Sequence, residues 1–313
     1  MLKIIIRDHH SDYFQKFKEA VYALFPILCF TASEAEDFVQ TFSGQPDNQN
    51  VVFVDQAGRL TFCRYSIESQ EASFIHYIIP SSWSDRFTLV KEALQQIQQE
   101  FIAANSGHEL RMRINEQLPS HTAYYAGLLP EQGFELTPRV TMVAGQTLVD
   151  QLTLPELPTW VQEVAYSADR LQETVTVYLQ AHRTNHHAFS LEKQAQKSAS
   201  AERYIAEIYE LERTVQTWTG LIVAGRLIGF SCGGLWGDEM SLEEIALVPE
   251  FQGQGLGRYL TIRCMQKLYM NFAGPDKYFG LGTERTNTQA LKLYQRLGFK
   301  IDKIETYAMF EAK

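Results

Sequence analysis

Three landmarks recur in the same order along the 313 residues. Ala57-Gly58-Arg59-Leu60 returns as Ala224-Gly225-Arg226-Leu227 after 167 residues, Pro80 returns as Pro249 after 169, and Gly133-Phe134 returns as Gly298-Phe299 after 165. A shared order at a near-constant interval marks an internal duplication. It constrains the fold more than any local pattern does, because each half must build the same unit. The length suits two domains rather than one, and a 45% hydrophobic content is enough to fill two cores.

Each half repeats one order of elements. The Ala-Gly-Arg-Leu segment lies between β-rich runs, Val51 to Val54 before Thr61 to Ile67 and Trp218 to Val223 before Ile228 to Cys232, which is the pattern of a hairpin. A further strand, Ser73 to Ile79 or Met240 to Val248, leads into a long helical pattern, Phe87 to Ile102 or Leu256 to Tyr269. A short helix, the Gly-Phe pair and a last strand close each half. The sequence therefore predicts two tandem α+β domains, each a mixed, mostly antiparallel sheet flanked by helices, over residues 1–148 and 149–313. The junction is expected near Gly145 to Thr159, where Pro155 and Pro158 interrupt the periodicity.

Only the second half carries a glycine-rich turn between strand and helix, Gln252-Gly253-Gln254-Gly255-Leu256-Gly257-Arg258. Glycines at every second position let the backbone turn sharply and approach a ligand, so that unpaired amides and the positive end of the next helix face an anion. Arg258 adds a counter-charge. The spacing fits neither the dinucleotide fingerprint nor the P-loop. By itself the segment is either a tight turn or an anion site.

A second motif, Asn287 to Phe299, lies about thirty residues downstream. Asn287 suits an N-cap, Ala290, Leu293, Tyr294 and Leu297 share one face, and Gly298 supplies a left-handed stop before Phe299. In this order and separation, loop and helix together resemble the GNAT superfamily of acetyl-CoA-dependent N-acetyltransferases. The loop matches its Arg/Gln-x-x-Gly-x-Gly/Ala signature, and the helix matches its Asn, Ala, Leu-Tyr and Gly-Phe signature.

The resemblance implies acetyl transfer from acetyl-CoA to a primary amine by direct attack. It implies main-chain contacts to the cofactor at Leu247 and Val248, pyrophosphate binding by Gln252, Gly253, Gln254, Gly255, Leu256, Gly257 and Arg258, and a pantetheine contact at Asn287. Tyr294 becomes the expected general acid, although a tyrosine on an apolar helix face is also an ordinary core residue. Glu243 and Glu244 are the candidate bases. Neighbours on a strand point to opposite faces, so only one of them is expected in the cleft, and register favours Glu243. The tandem layout also resembles the mycothiol synthase type, for which a small-molecule amine is one option; peptide amines fit the motifs equally. A non-catalytic acyl-CoA-binding regulatory module is the second reading.

The repeat offset places Trp83, Ser84, Arg86 and Thr88 where the second half has Gln252, Gly253, Gly255 and Gly257. It also sets Thr122 opposite Asn287 and Leu129 opposite Tyr294, with Pro130 expected to disturb the last helical turn. The first copy is thus expected not to hold the cofactor, and instead to shape the acceptor pocket or to mediate assembly, a homodimer being one form of it.

Charge bounds the partners. Residues 1–150 carry 11 basic against 18 acidic side chains and residues 151–313 carry 17 against 19, so there is no basic face for nucleic acid and a cationic amine is compatible. No apolar run has the length of a membrane span, and the N-terminal segment has no signal-peptide core, so a cytoplasmic protein without membrane partners is expected. Cys29, Cys63, Cys232 and Cys264 are scattered and read as reduced core residues. His182, His186 and His187 lack a third ligand and read as a solvated helix face rather than a metal site. Tyr166, Tyr178, Tyr204, Tyr209 and Trp236 either line an acceptor pocket or pack the core.

Overall fold

A computed structural model describes residues 1–6, 11–24, 48–66, 73–80, 86–104, 109–115, 119–182, 202, 205–206 and 216–311. They form two compact units, residues 1–139 with 303–313, and residues 140–302. Trp83, Ser84, Cys29, His186, His187, Tyr204 and Tyr209 lie outside the described residues. Among the described residues no helix is long and apolar enough to cross a membrane.

The first unit contains β1 (Leu2–Ile5), α1 (Asp12–Leu24), β2 (Asn48–Val54), β3 (Leu60–Ser66), β4 (Ser73–Pro80), α2 (Arg86–Ala104), β5 (Glu109–Asn115) and α3 (Pro119–Glu131). Strands β1 to β4 pair antiparallel in chain order, and β4 meets β5 in parallel. Alternation along β2 sends Val51 and Phe53 to one face and Val52 to the other. The first face packs on Leu94, Ile97 and Phe101 of α2, and the second on Phe14, Phe17 and Val21 of α1. Both faces of the sheet are therefore buried.

The second unit takes the latter part of β6 (Glu135–Gly145), β7 (Gln162–Val164), α4 (Leu171–His182), β8 (Thr219–Val223), β9 (Arg226–Trp236), β10 (Glu239–Leu247), α5 (Leu256–Phe272), β11 (Tyr278–Glu284) and α6 (Thr288–Leu297). Its strand order is β7-β8-β9-β10-β11 with β6 beside β11, antiparallel up to β10 and parallel from β10 to β11. Helix α5 buries Leu260, Ile262, Cys264, Met265 and Leu268 against the sheet. Each such leucine contributes about 1.5–3 kcal/mol through burial. Cys63, Cys232 and Cys264 are free and buried.

The α+β architecture agrees with the sequence prediction, and three details differ. The units do not divide the chain once near residue 148. The last strand, β12 (Lys300–Glu311), runs from the second unit into the first, where Glu305–Glu311 pair antiparallel with Asn115–Glu109. The stretch after Gly145, expected as a less periodic junction, packs on one side of it: a 3-10 turn over Gln146–Gln151 buries Val149, and Leu148, Leu152, Leu154 and Leu157 pack on the second unit's cores. Pro130, finally, does not disturb its helix. The position that lacks an N–H lies in the last turn, where Gly133 N and Phe134 N close onto Pro130 O and Leu129 O at 3.0 Å each.

Candidate active site

Strands β10 and β11 part early. Their pairing covers Glu239 to Ser241 against Tyr278 to Gly280 and then stops, so among the described residues the rest of β10 has no partner strand on that side. Opposite, β10 pairs with β9 as far as Leu247 and Gly229. In an antiparallel ladder successive residues turn their main-chain groups to alternate sides. Val248 N donates to Ile228 O at 2.9 Å, so it is Leu247 that turns away from β9. The carbonyl of Val248 accepts from Phe251 N at 3.1 Å, so both of its main-chain groups have partners within the protein. Of the two residues expected to contact a cofactor through the main chain, Leu247 is the one that turns away from β9. Its carbonyl is held by Gln252 Nε2 at 2.9 Å, and its N–H faces the gap.

The loop after this strand needs two of its three glycines for their φ angles, +75° at Gly253 and +85° at Gly255. A Cβ at either position would meet nothing within 4 Å, so the loop opens outward. Gly255 is the N-cap of α5 and offers no side-chain cap. Among the described residues, none of the amides from Gly253 to Arg258 has an acceptor. Six neighbouring donors at the positive end of a 17-residue helix make an anion cradle. Gln254 bonds back to Glu250 O at 3.1 Å and stiffens the turn.

Helix α6 starts and ends where the sequence predicts. Asn287 Oδ1 accepts from Ala290 N at 3.2 Å, which leaves its amide nitrogen for other partners. Gly298 (φ +105°) closes the helix, and Phe299 N returns to Tyr294 O. The Tyr294 ring packs edge-on against Phe299 among Leu242, Cys264 and Leu281. Burial, followed by the nearby charge of Glu244 and by Cys264, pushes its phenol well above the usual tyrosine range. It therefore keeps its proton at neutral pH and stays a donor.

The two glutamates separate for a reason that simple alternation misses. A bulge between Leu242 and Glu244 breaks the strand's register, so Glu243 is the extra residue. Glu243 accepts from Nε1 of the exposed Trp236. Glu244, with only 10% of its side chain exposed, lies 3.0 Å through Oε1 from Nε2 of His182 at the end of α4. The bulge breaks the simple alternation on which the register favouring Glu243 rested, and His182 is not on a merely solvated face. One signal for the histidine was present: Val175, Tyr178 and His182 recur at helical spacing along the packed stripe of α4. Tyr166 packs against Trp218, and among the described members of the aromatic set, Tyr166, Tyr178 and Trp236, it is Trp236 that is exposed.

Residues 176–299 match the model of the acetyltransferase (GNAT) family. A mycothiol acetyltransferase of Mycolicibacterium smegmatis is 33% identical over 84 residues, 26% of this chain and 28% of that protein, so the chain aligns with under a third of that relative's length. A GCN5-related N-acetyltransferase from Sphaerobacter thermophilus superposes with a TM-score of 0.61 at 13% identity, covering 99% of this chain and 96% of that one. A tandem GNAT protein from the clavulanic acid biosynthesis pathway superposes with a TM-score of 0.55 at 13% identity, covering 100% and 98%. At these identities the structures share the fold. Residues 176–299 of the second unit thus match a GNAT-family model, and the chain shares its α+β fold with these two structures.

Proposed function

We propose that the second unit binds acetyl-CoA along β10 and on the Gly253–Arg258 cradle, and transfers the acetyl group to a primary amine by direct attack. One observation carries this reading: the parted strands open beside six unpaired amides. The open space over Gly253 and Gly255 and the cation of Arg258 suit a diphosphate. Acetyl-CoA supplies an acetyl group activated as a thioester. The residues of the chain supply the rest. The Leu247 N–H can donate to negative charge developing on a carbonyl oxygen. Glu244 removes a proton from the acceptor ammonium, leaving the nitrogen lone pair for attack. Tyr294 gives its phenolic proton to the departing thiolate. Asn287, with Oδ1 occupied by its cap, has its amide nitrogen left for the pantetheine arm.

The likeness to a mycothiol acetyltransferase supports small-molecule amines as the first acceptors to try. The full chain is incubated with acetyl-CoA and a panel comprising amino acids, an aminosugar, a polyamine, a lysine peptide and a peptide with a free N-terminus. Release of the CoA thiol with acetylated product by mass supports the reading. Calorimetric binding of acetyl-CoA without turnover on any amine or on water replaces it with a regulatory acyl-CoA module. No binding overturns both.

A further inference from the structure

The proposed chemistry leaves open what holds Glu244 in place. Its side chain is nine-tenths buried, and a carboxylate so withdrawn from water is costly unless a donor meets it. His182 Nε2 at 3.0 Å is such a group, and an ionised carboxylate can only accept, so the imidazole nitrogen donates. The imidazole is itself fixed by the ring of Tyr178, one helical turn earlier, with centroids 4.5 Å apart. Tyr178 in turn packs on the apolar cluster of the unit. The contact joins residues 62 apart in the chain at a register bulge, where the strand backbone alone would not aim a side chain reliably. The neighbouring carboxylate, Glu243, accepts from Trp236.

We propose that His182 is the positioning residue for Glu244: its Nε2–H anchors Oε1, so that Oε2 is turned to the acceptor amine. This rests on the reading of Glu244 as the base. In the step it serves, the N–H bond of the ammonium breaks with its electron pair left on nitrogen, and an O–H bond forms at Glu244 Oε2. The histidine keeps its proton throughout. With 37% of its side chain exposed, the imidazole site can be reached by a small molecule from solvent, which makes the role testable by rescue.

The experiment follows CoA release by the full chain with the amine acetylated fastest in the panel, or with water as acceptor if none is acetylated. His182→Ala is expected to lower kcat/KM for the acceptor by about ten- to hundredfold, as loss of orientation does, and to leave acetyl-CoA affinity in calorimetry within about twofold. Added imidazole restores rate to His182→Ala and not to Glu244→Gln. His182→Gln, whose amide can still donate, recovers most of the wild-type rate. If His182→Ala does not fold, His182→Asn, too short to reach Oε1, takes its place. A wild-type rate in these variants overturns the inference, as does a loss that neither imidazole nor glutamine repairs, since that pattern belongs to a contact that merely ties helix to strand. A wild-type chain that binds acetyl-CoA without turnover, or does not bind it, overturns the enzymatic reading itself and this inference with it.

Discussion

Leu129 and Tyr294 hold the same place in the two units. Each carbonyl accepts, at 3.0 Å, from the amide of a phenylalanine five residues on, and each helix stops at a left-handed glycine, Gly133 at +80° or Gly298 at +105°. The parallel strand pairs agree too: β4 and β5, like β10 and β11, pair over three residues. What differs is the side chain delivered to this common backbone. Leu129 is fully buried in the first unit's core, whereas Tyr294 brings a proton donor to the same helical position. The same helical position thus carries a core leucine in one unit and a phenol in the other.

The contrast extends to charge. In the first unit the edge strand carries the cation and the helix the carboxylate: Lys3 of β1 and Tyr65 of β3 both reach Glu100 of α2 at 2.6 Å. In the second unit the polarity is reversed. Glu163 of β7 is met by Arg263 of α5 at 3.0 Å and by the Tyr259 hydroxyl, whose pKa is pushed up to about 12 by burial first and by Glu163 second. Both trios tie an edge strand to the long helix. Electrostatic complementarity is indifferent to which partner bears which sign.

The largest expected effect comes from Leu129→Ala, which should destabilise the first unit by about 2–5 kcal/mol in urea unfolding and leave acetyl-CoA affinity unchanged. Unchanged stability would mean that this position is not the core counterpart of Tyr294. Next, Tyr294→Phe should lower kcat by about ten- to a thousandfold, or about 1.4–4 kcal/mol in the barrier, with acetyl-CoA affinity held. A full wild-type rate would remove the phenol from the chemistry and make the two helices alike.

Glycine substitutions sharpen the contrast. Forcing Gly255→Ala into φ +85° should cost about 1–2 kcal/mol and weaken acetyl-CoA binding roughly five- to thirtyfold in calorimetry. Gly58→Ala, at φ +75° in the first unit's hairpin, should cost stability alone. Equal binding losses from both would erase the distinction between the turns.

The smallest effect concerns pH. Burial acts to raise the Glu100 carboxyl, but hydrogen bonds from Lys3 and Tyr65 outweigh it and hold it below the usual range. A carboxyl depressed in the folded state adds stability above its unfolded pKa, about 4.3, and loses that contribution as pH falls through its folded value. Glu100→Gln should therefore destabilise the first unit by less than about 1 kcal/mol at pH 7, with the deficit vanishing in thermal melts on acidification. A deficit that persists below pH 3 would point to packing instead of charge.

The Ala-Gly-Arg-Leu repeat shows how far a motif reaches. Both copies form hairpin turns, but Ala224 and Gly225 (φ +49° and +81°) make a two-residue turn. The first copy loops over residues 55–59, with Asp55 accepting from Ala57 N and Arg59 N at 2.9 Å each. The same four letters give different loops because Asp55 precedes one of them. The limits of α6, the left-handed glycines and the duplication were legible because caps and periodicity act within a few residues. The bulge that separates Glu243 from Glu244, the engagement of Val248 by Ile228 and the destination of β12 were not.

By itself the sequence determined two α+β units, the open glycine turn before α5 and a capped helix bearing Tyr294, all set by local backbone preference and by which faces are apolar. Only the tertiary structure decided that Glu244 meets His182 and that the last strand completes the first unit's sheet. Those outcomes depend on partners distant in the chain, and strand register and exchange are settled by the total burial that each pairing achieves, which no local pattern encodes.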